Sequence, residues 1–139
     1  MNEIPGWSHE TILSAEPVSA SRARDFICQH LVAHDLLHLV EDIRLVASEL
    51  ATNAMVHAGT PFILTLSEMN GVVLLTVRDG SATVPVREVP QVMDMGGRGL
   101  VLVELLSREW GVSTGASGSK SVWASFASRT GSVPPSTLA

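Results

Sequence analysis

The chain has 139 residues, of which 45% are hydrophobic and 17% charged, a balance that supplies one buried core and excludes disorder of the whole chain. Nine basic residues stand against 14 acidic ones, a net charge of −5, which argues against nucleic acid or an anionic membrane as the main partner and makes any anion site local. Cys28 is the single cysteine; it cannot form an internal disulfide, reads as a small buried hydrophobe, and suits a reducing cytoplasm. The opening, with Asn2, Glu3 and Pro5, does not resemble a signal peptide. No apolar run exceeds the length of a strand, against the roughly 20 residues of a membrane span.

In chain order, Ser8 to Leu13 reads as a strand broken by Ser14-Ala-Glu-Pro17. Ser19 is a predicted N-cap for a first amphipathic helix that carries Ala23, Phe26, Ile27, His30 and Leu31 and reaches about His34. A longer helix is predicted from about His38 to His57. Leu39, Ile43, Val46, Ala47, Leu50 and Ala54 recur along it every three or four residues, and Gly59 is placed to end it. Pro61 to Glu68 and Val72 to Val77 read as strands joined by Asn70-Gly71, the favoured two-residue hairpin turn. The aperiodic stretch from Ser81 to Met95, with Pro85 and Pro90, is a loop long enough to suggest a function. Gly96 to Gly99 opens a third helix, Leu100 to Ser107, with Leu102, Val103, Leu105 and Leu106 expected on its buried side. Strands Trp110 to Thr114 and Ser121 to Ala127 follow. Residues 1–127 are expected to be one domain and 128–139, with Gly131, Pro134 and Pro135, a disordered tail. Paired strands rather than strict alternation imply an α/β two-layer sandwich, a mixed or mainly antiparallel sheet with helices on one face.

Four segments could carry chemistry. Glu49, Asn53 and His57 are four apart on the long helix and make a polar rib. A carboxylate and a carboxamide one turn apart can offer oxygen to Mg²⁺ alongside phosphate oxygens, or can be a solvated helix edge. His57 reads as a helix C-terminal histidine favoured by the dipole or as a ligand. Asp79 ends a strand and Gly80 follows it; the carboxylate could accept from an exocyclic amine such as that of adenine, and Asp-Gly is equally turn chemistry. Gly97-Arg98-Gly99 stands before a helix, where backbone N–H groups can meet an anion and Arg98 adds a charged donor. With Leu102 in place of the third glycine and a loop ahead of it, this is not a dinucleotide fingerprint. Lys120, the one lysine, borders the turn Gly115 to Ser119, as a phosphate contact or an exposed strand-end charge. That turn is not a P-loop, since Ser119 replaces the glycine and a strand follows.

Taken in order, Glu49-Leu-Ala-Thr-Asn53-Ala54, Asp79-Gly80, Gly97-Arg98-Gly99-Leu100 and Lys120-Ser121-Val122-Trp123 resemble the Bergerat-fold (GHKL) ATPases, and within them the small anti-sigma-factor serine/threonine kinases. The resemblance runs from about Ser19 to Phe126. It implies a Bergerat ATP-binding fold with ATP and Mg²⁺ as cofactors. Glu49 would polarise the attacking hydroxyl or a magnesium-bound water, Asn53 would hold Mg²⁺, and Asp79 would bind the adenine amine beside Gly80. Ser81 to Met95 would be a shortened ATP lid. Gly97, Arg98, Gly99 and Leu100 would cradle phosphates, with Lys120 and Ser121 close by. The implied partners are a sigma factor and a small antagonist protein, in the cytoplasm, without direct nucleic-acid or membrane contact; a homodimer is one assembly open to such a protein. The family's adenine box commonly reads D-x-G-x-G, whereas Gly80 directly follows Asp79 here, and Met93, Asp94 and Met95 rather than an arginine precede the glycines. Those departures motivate an alternative, a non-catalytic partner-switch module. A histidine kinase fits less well, because no dimerisation helix with a phosphoacceptor histidine precedes the domain; His30 and His34 lie on the short first helix.

Overall fold

The computed structural model describes residues 6–80, 97–115 and 118–129, the side chains of 57–58 and 97–100 excepted. The elements follow as β1 (Trp7–Leu13), α1 (Val18–Ala33), a 3₁₀ turn (Leu37–Leu39), α2 (Val40–Ala58), β2 (Phe62–Met69), β3 (Val72–Asp79), α3 (Gly97–Leu106), β4 (Glu109–Thr114) and β5 (Lys120–Ala127). The five described strands form one sheet in the order β1-β2-β3-β5-β4, with every neighbouring pair antiparallel. Of the two expectations for the sheet, the antiparallel one is realised. The expected lid and most of the expected tail lie outside the described residues.

Local chemistry explains most boundaries. Gly59 takes a left-handed φ of 66° and ends α2. Asn70 and Gly71 both have positive φ, 54° and 81°, as the tight turn joining right-twisted strands requires. Ser19 is not the N-cap of α1. The N-cap is Pro17 and α1 begins at Val18, two residues earlier than a Ser19 cap would place it, and Ser19 is buried with its hydroxyl 3.2 Å from that of Ser14. The fixed φ of proline suits a helix start, which accounts for the shift.

Period-two alternation sends Phe62, Leu64 and Leu66 of β2 and Val73, Leu75 and Val77 of β3 to the helix side of the sheet, where all are buried. Helix α1 adds Ala23, Ile27 and Leu31, and α2 adds Ile43, Val46, Ala47, Leu50, Ala51 and Ala54, to one continuous core. The third helix buries Val103, with Leu106 partly covered, whereas Leu105 is 72% exposed. A ten-residue helix lying over one sheet face can present only one stripe, so Leu105 was wrongly expected inside. Cys28 is half-buried rather than buried.

On the outer face, Gly111 of β4 lies opposite Trp123 of β5, and a Cβ there would come within 2.7 Å of the indole. The glycine is what lets the ring lie across the neighbouring strand. Because the core lies on the helix side alone, Phe62→Ala is expected to cost about 3–5 kcal/mol, while Ile12→Ala, at a position 67% exposed on the outer face, should stay within about 0.5 kcal/mol. Urea midpoints of the two variants check this.

Candidate functional site

Three strands bring polar chemistry to one end of the sheet. The register sets Asp79, the last residue of β3, opposite Phe62 of β2 on one side and Lys120 of β5 on the other. All three face the helices, and the two charged side chains are only 3% and 6% exposed. Lys120 is therefore not the exposed strand-end charge that was one reading of the sequence: β5 begins at Lys120 itself, so alternation turns its side chain inward with Val122 and Ala124. Opposite charges directly across an antiparallel pair stabilise it.

Helix α2 reaches the same end, because Gly59, Thr60 and Pro61 lead directly from its C-terminus into Phe62. It packs over β3 and β2. Near its C-terminal half the polar rib interrupts the apolar stripe: Asn53 is buried at 9% exposure and Glu49, one turn earlier, is half-buried. The side chain of His57 lies outside those described. Beside Glu49, Ser48 accepts from Arg24 (Nη1 to Oγ, 3.3 Å), which ties α1 to this stretch of α2, and within α2 Thr52 donates to the Ser48 carbonyl at 2.8 Å. Among the described residues, Thr60 Oγ1 is the buried side-chain oxygen without a hydrogen-bond partner, and it sits where α2 hands over to β2.

The glycine segment belongs to α3, which is helical from Gly97 onward rather than from Leu100. Its C-terminus joins β4 at the far end of the sheet, where the Arg108 N–H donates to the Ser125 carbonyl at 2.7 Å. The N-terminal turn, Gly97 to Leu100, is the end of α3 away from that junction. Gly80 is exposed, and a Cβ added there would meet nothing within 4 Å. Ser121 does not join this group, since its side chain alternates onto the outer face opposite Arg78. A cavity of about 460 Å³ also touches Gly80, but it opens on the outer face among Ile12, Ile63 and Arg78 and is separate from the helix-side cluster.

Of the residues singled out in the sequence, Asp79 and Gly80 stand together at this end of the sheet, and Asn53 is buried in the C-terminal half of the helix that leads to it. Thr60, in the connection between α2 and β2, and the Asp79–Lys120 juxtaposition, which depends on strand register, have no signal in the sequence. The donors here are oxygens, and no three His, Cys, Asp or Glu side chains cluster to hold a metal among the described residues. A hard cation here would rely on one or two protein oxygens together with a ligand's own oxygens.

Residues 13–126 match the family described as the histidine kinase-like ATPase domain, and the chain belongs to that family. No curated protein matches it. Among solved structures it resembles the RsbU and RsbW domains of Rv1364c from Mycobacterium tuberculosis, with a TM-score of 0.67 and 19% identity over 87% of this chain. The chain spans about a third, 32%, of the length of that protein's solved chain. Both comparisons agree with the fold: a Bergerat-type α/β sandwich with helices over an antiparallel sheet. No helix among the described residues is long and apolar enough to cross a membrane.

A double-mutant cycle tests the strand-end juxtaposition. Asp79→Asn and Lys120→Met are expected to show a coupling on the order of 1 kcal/mol in chemical denaturation; additive losses would mean that the two charges stabilise the sheet independently.

Proposed function

We propose that residues 1–127 form an ATP-binding domain that acts as a serine/threonine protein kinase of the anti-sigma type, phosphorylating a small antagonist protein and regulating a sigma factor by exchange of partners. The observation that carries the reading is the buried Asp79 carboxylate, followed by Gly80 with open space where a side chain would be, at the end of the sheet reached by the Glu49–Asn53 rib of α2. The match to the ATPase domain family supports a nucleotide as the ligand, and the order of the four sequence segments supports the kinase branch.

Each residue then has a distinct task. Asp79 accepts from the adenine amine, and Gly80 gives a flat base access to the backbone. Asn53 offers its carboxamide oxygen to Mg²⁺, and the oxygen-only donor set suits that ion. Magnesium, when bound, neutralises phosphate charge. Gly97, Gly99 and Leu100 present backbone N–H groups at the start of α3, where the helix dipole favours an anion, and Arg98 adds a charged donor. Lys120 lies one strand from Asp79 and lends positive charge to the same end. Glu49 accepts the proton of an incoming serine hydroxyl as its oxygen bonds to the γ-phosphorus and the bond to the bridging oxygen breaks, leaving ADP. Such a transfer needs chiefly positioning and charge stabilisation.

A second reading, a partner-switch module without useful turnover, is favoured by two observations. Asp79 already faces Lys120 across the β3–β5 pair, and Gly80 directly follows it in place of the spaced glycines common in the family.

Mg·ATP at a hundredfold excess over Kd is expected to stabilise the fold by about 2.7 kcal/mol, read as a rise in melting temperature; no shift at millimolar nucleotide would remove the nucleotide site. Asp79→Asn should weaken ATP more than inorganic triphosphate, because the contact is to the base.

Glu49→Gln, nearly isosteric, should keep ATP binding within a few fold while phosphoryl transfer to a serine-bearing antagonist falls about 10²- to 10⁴-fold. Asn53→Ala should lose metal-dependent binding and transfer together. Normal Mg·ATP binding by the wild type with no transfer to any such antagonist would favour the second reading.

A further inference from the structure

Away from this end of the molecule, the junction of the edge strand β1 with α1 is built from aromatic rings. Trp7 and His9 alternate onto the helix side of β1, and His30 stands in the last turn of α1 with His34, the helix's C-cap residue, four residues on. The rings interleave. Trp7 stacks on His34 with centroids 3.9 Å apart and planes within 7°, and His9 stacks on His30 at 3.8 Å and 15°. Phe26 meets His30 edge-on at 4.6 Å. Between the two stacks, the Nε2 atoms of His9 and His34 approach to 2.9 Å. Helix α1 packs mainly against α2, and these rings join it to the edge strand beside the buried Leu13.

A hydrogen bond between two imidazole Nε2 atoms requires one to carry a proton and the other to be bare. The contact therefore exists only while at least one ring of the pair is neutral. A second proton sets N–H against N–H and adds a second positive charge to rings stacked in contact. We propose that His9, His30 and His34 form a proton-operated latch that holds α1 to the edge strand β1 near neutral pH and releases it on acidification.

The groups that act on the junction are His9 from β1, His30 and His34 from α1, and Glu68 from β2. Glu68 accepts from Trp7 Nε1 at 2.8 Å. Burial first, and then the charges of His9 and His34, hold His30 below its usual 6.5. Burial and then His9 lower His34, with Glu68 opposing. With folded values below the unfolded ones, the unfolded chain binds more protons. The latch's contribution is whole above pH 6.5 and is lost as pH falls through 6.5 toward the lowered folded values. The release is local: it leaves β1 held by its pairing with β2 alone, an edge strand that then opens more readily while the core beneath α2 stays packed.

The test is an NMR titration of the histidine ring protons in the full chain from pH 8 to pH 5, with amide-exchange protection of residues 7–13 followed over the same range. The latch predicts that His30 and His34 titrate below 6.5 and that protection of β1 drops as the His34 ring takes up its proton. His9→Phe keeps a ring against His30 but removes the shared proton. It should abolish that drop and leave His34 titrating as one group, moved back toward 6.5. His34→Gln, which cannot be protonated, should likewise abolish the drop and gives an independent arm if the phenylalanine variant fails to fold. His30 and His34 both titrating at 6.5, or β1 protection unchanged over the range, would overturn the proposal. So would a Zn²⁺-dependent rise in melting temperature that His9→Phe removes, because the pair would then be metal ligands rather than a proton-sharing contact.

Discussion

Strand β3 is hydrogen-bonded on both sides, to β2 and to β5, and its register decides which side chains face the helices. The Asn70-Gly71 turn fixes that register against β2. From it follow the burial of Val73, Leu75 and Val77 and, one step further along the same face, the burial of Asp79. A slip of one residue would turn the apolar set outward and remove the carboxylate from the helix side at once. Core and candidate site are therefore specified by one turn, and neither can be moved without the other.

The parts of the fold legible in the sequence are those written in local chemistry. The Asn-Gly turn, the left-handed Gly59 and the repeating apolar positions of α2 each declare themselves within a few residues. Ser19 was misread because capping chemistry and a preceding proline compete for the same boundary, and the proline sets it. Leu105 was misread because α3 is apolar nearly all round, so periodicity could not single out the stripe that meets the sheet. For the site, the spacing of Glu49 and Asn53 was visible along one helix. The burial of Lys120 and the outward turn of Ser121 were not, since both depend on where β5 begins. The ring cluster of Trp7, His9, His30 and His34 joins residues distant in the chain and has no local signature at all.

The placement of the polar residues bears on how such a domain can work. Asp79 and Lys120 stand on the rigid sheet, while Glu49 and Asn53 stand on a long helix whose apolar stripe is locked into the core. Groups on regular elements held by packing are better fixed in position than groups on loops, which suits a reaction that depends on alignment and charge stabilisation. The histidine junction lies on the edge strand instead, where opening disturbs few core contacts. One small domain thus separates a well-anchored polar end from an edge that a change in protonation can loosen.

The most direct test of the central claim, that the ligand site is the helix-side end of the sheet, is backbone chemical-shift mapping during titration with Mg·ADP. The account predicts that the largest changes fall on Glu49, Asn53, Asp79, Gly80, the first turn of α3 and Lys120. Changes centred instead on the cavity at the opposite end, about 610 Å³ and lined by Asp42, Arg108 and Arg129, would contradict it, as would changes confined to the outer face around Ile63 and Arg78.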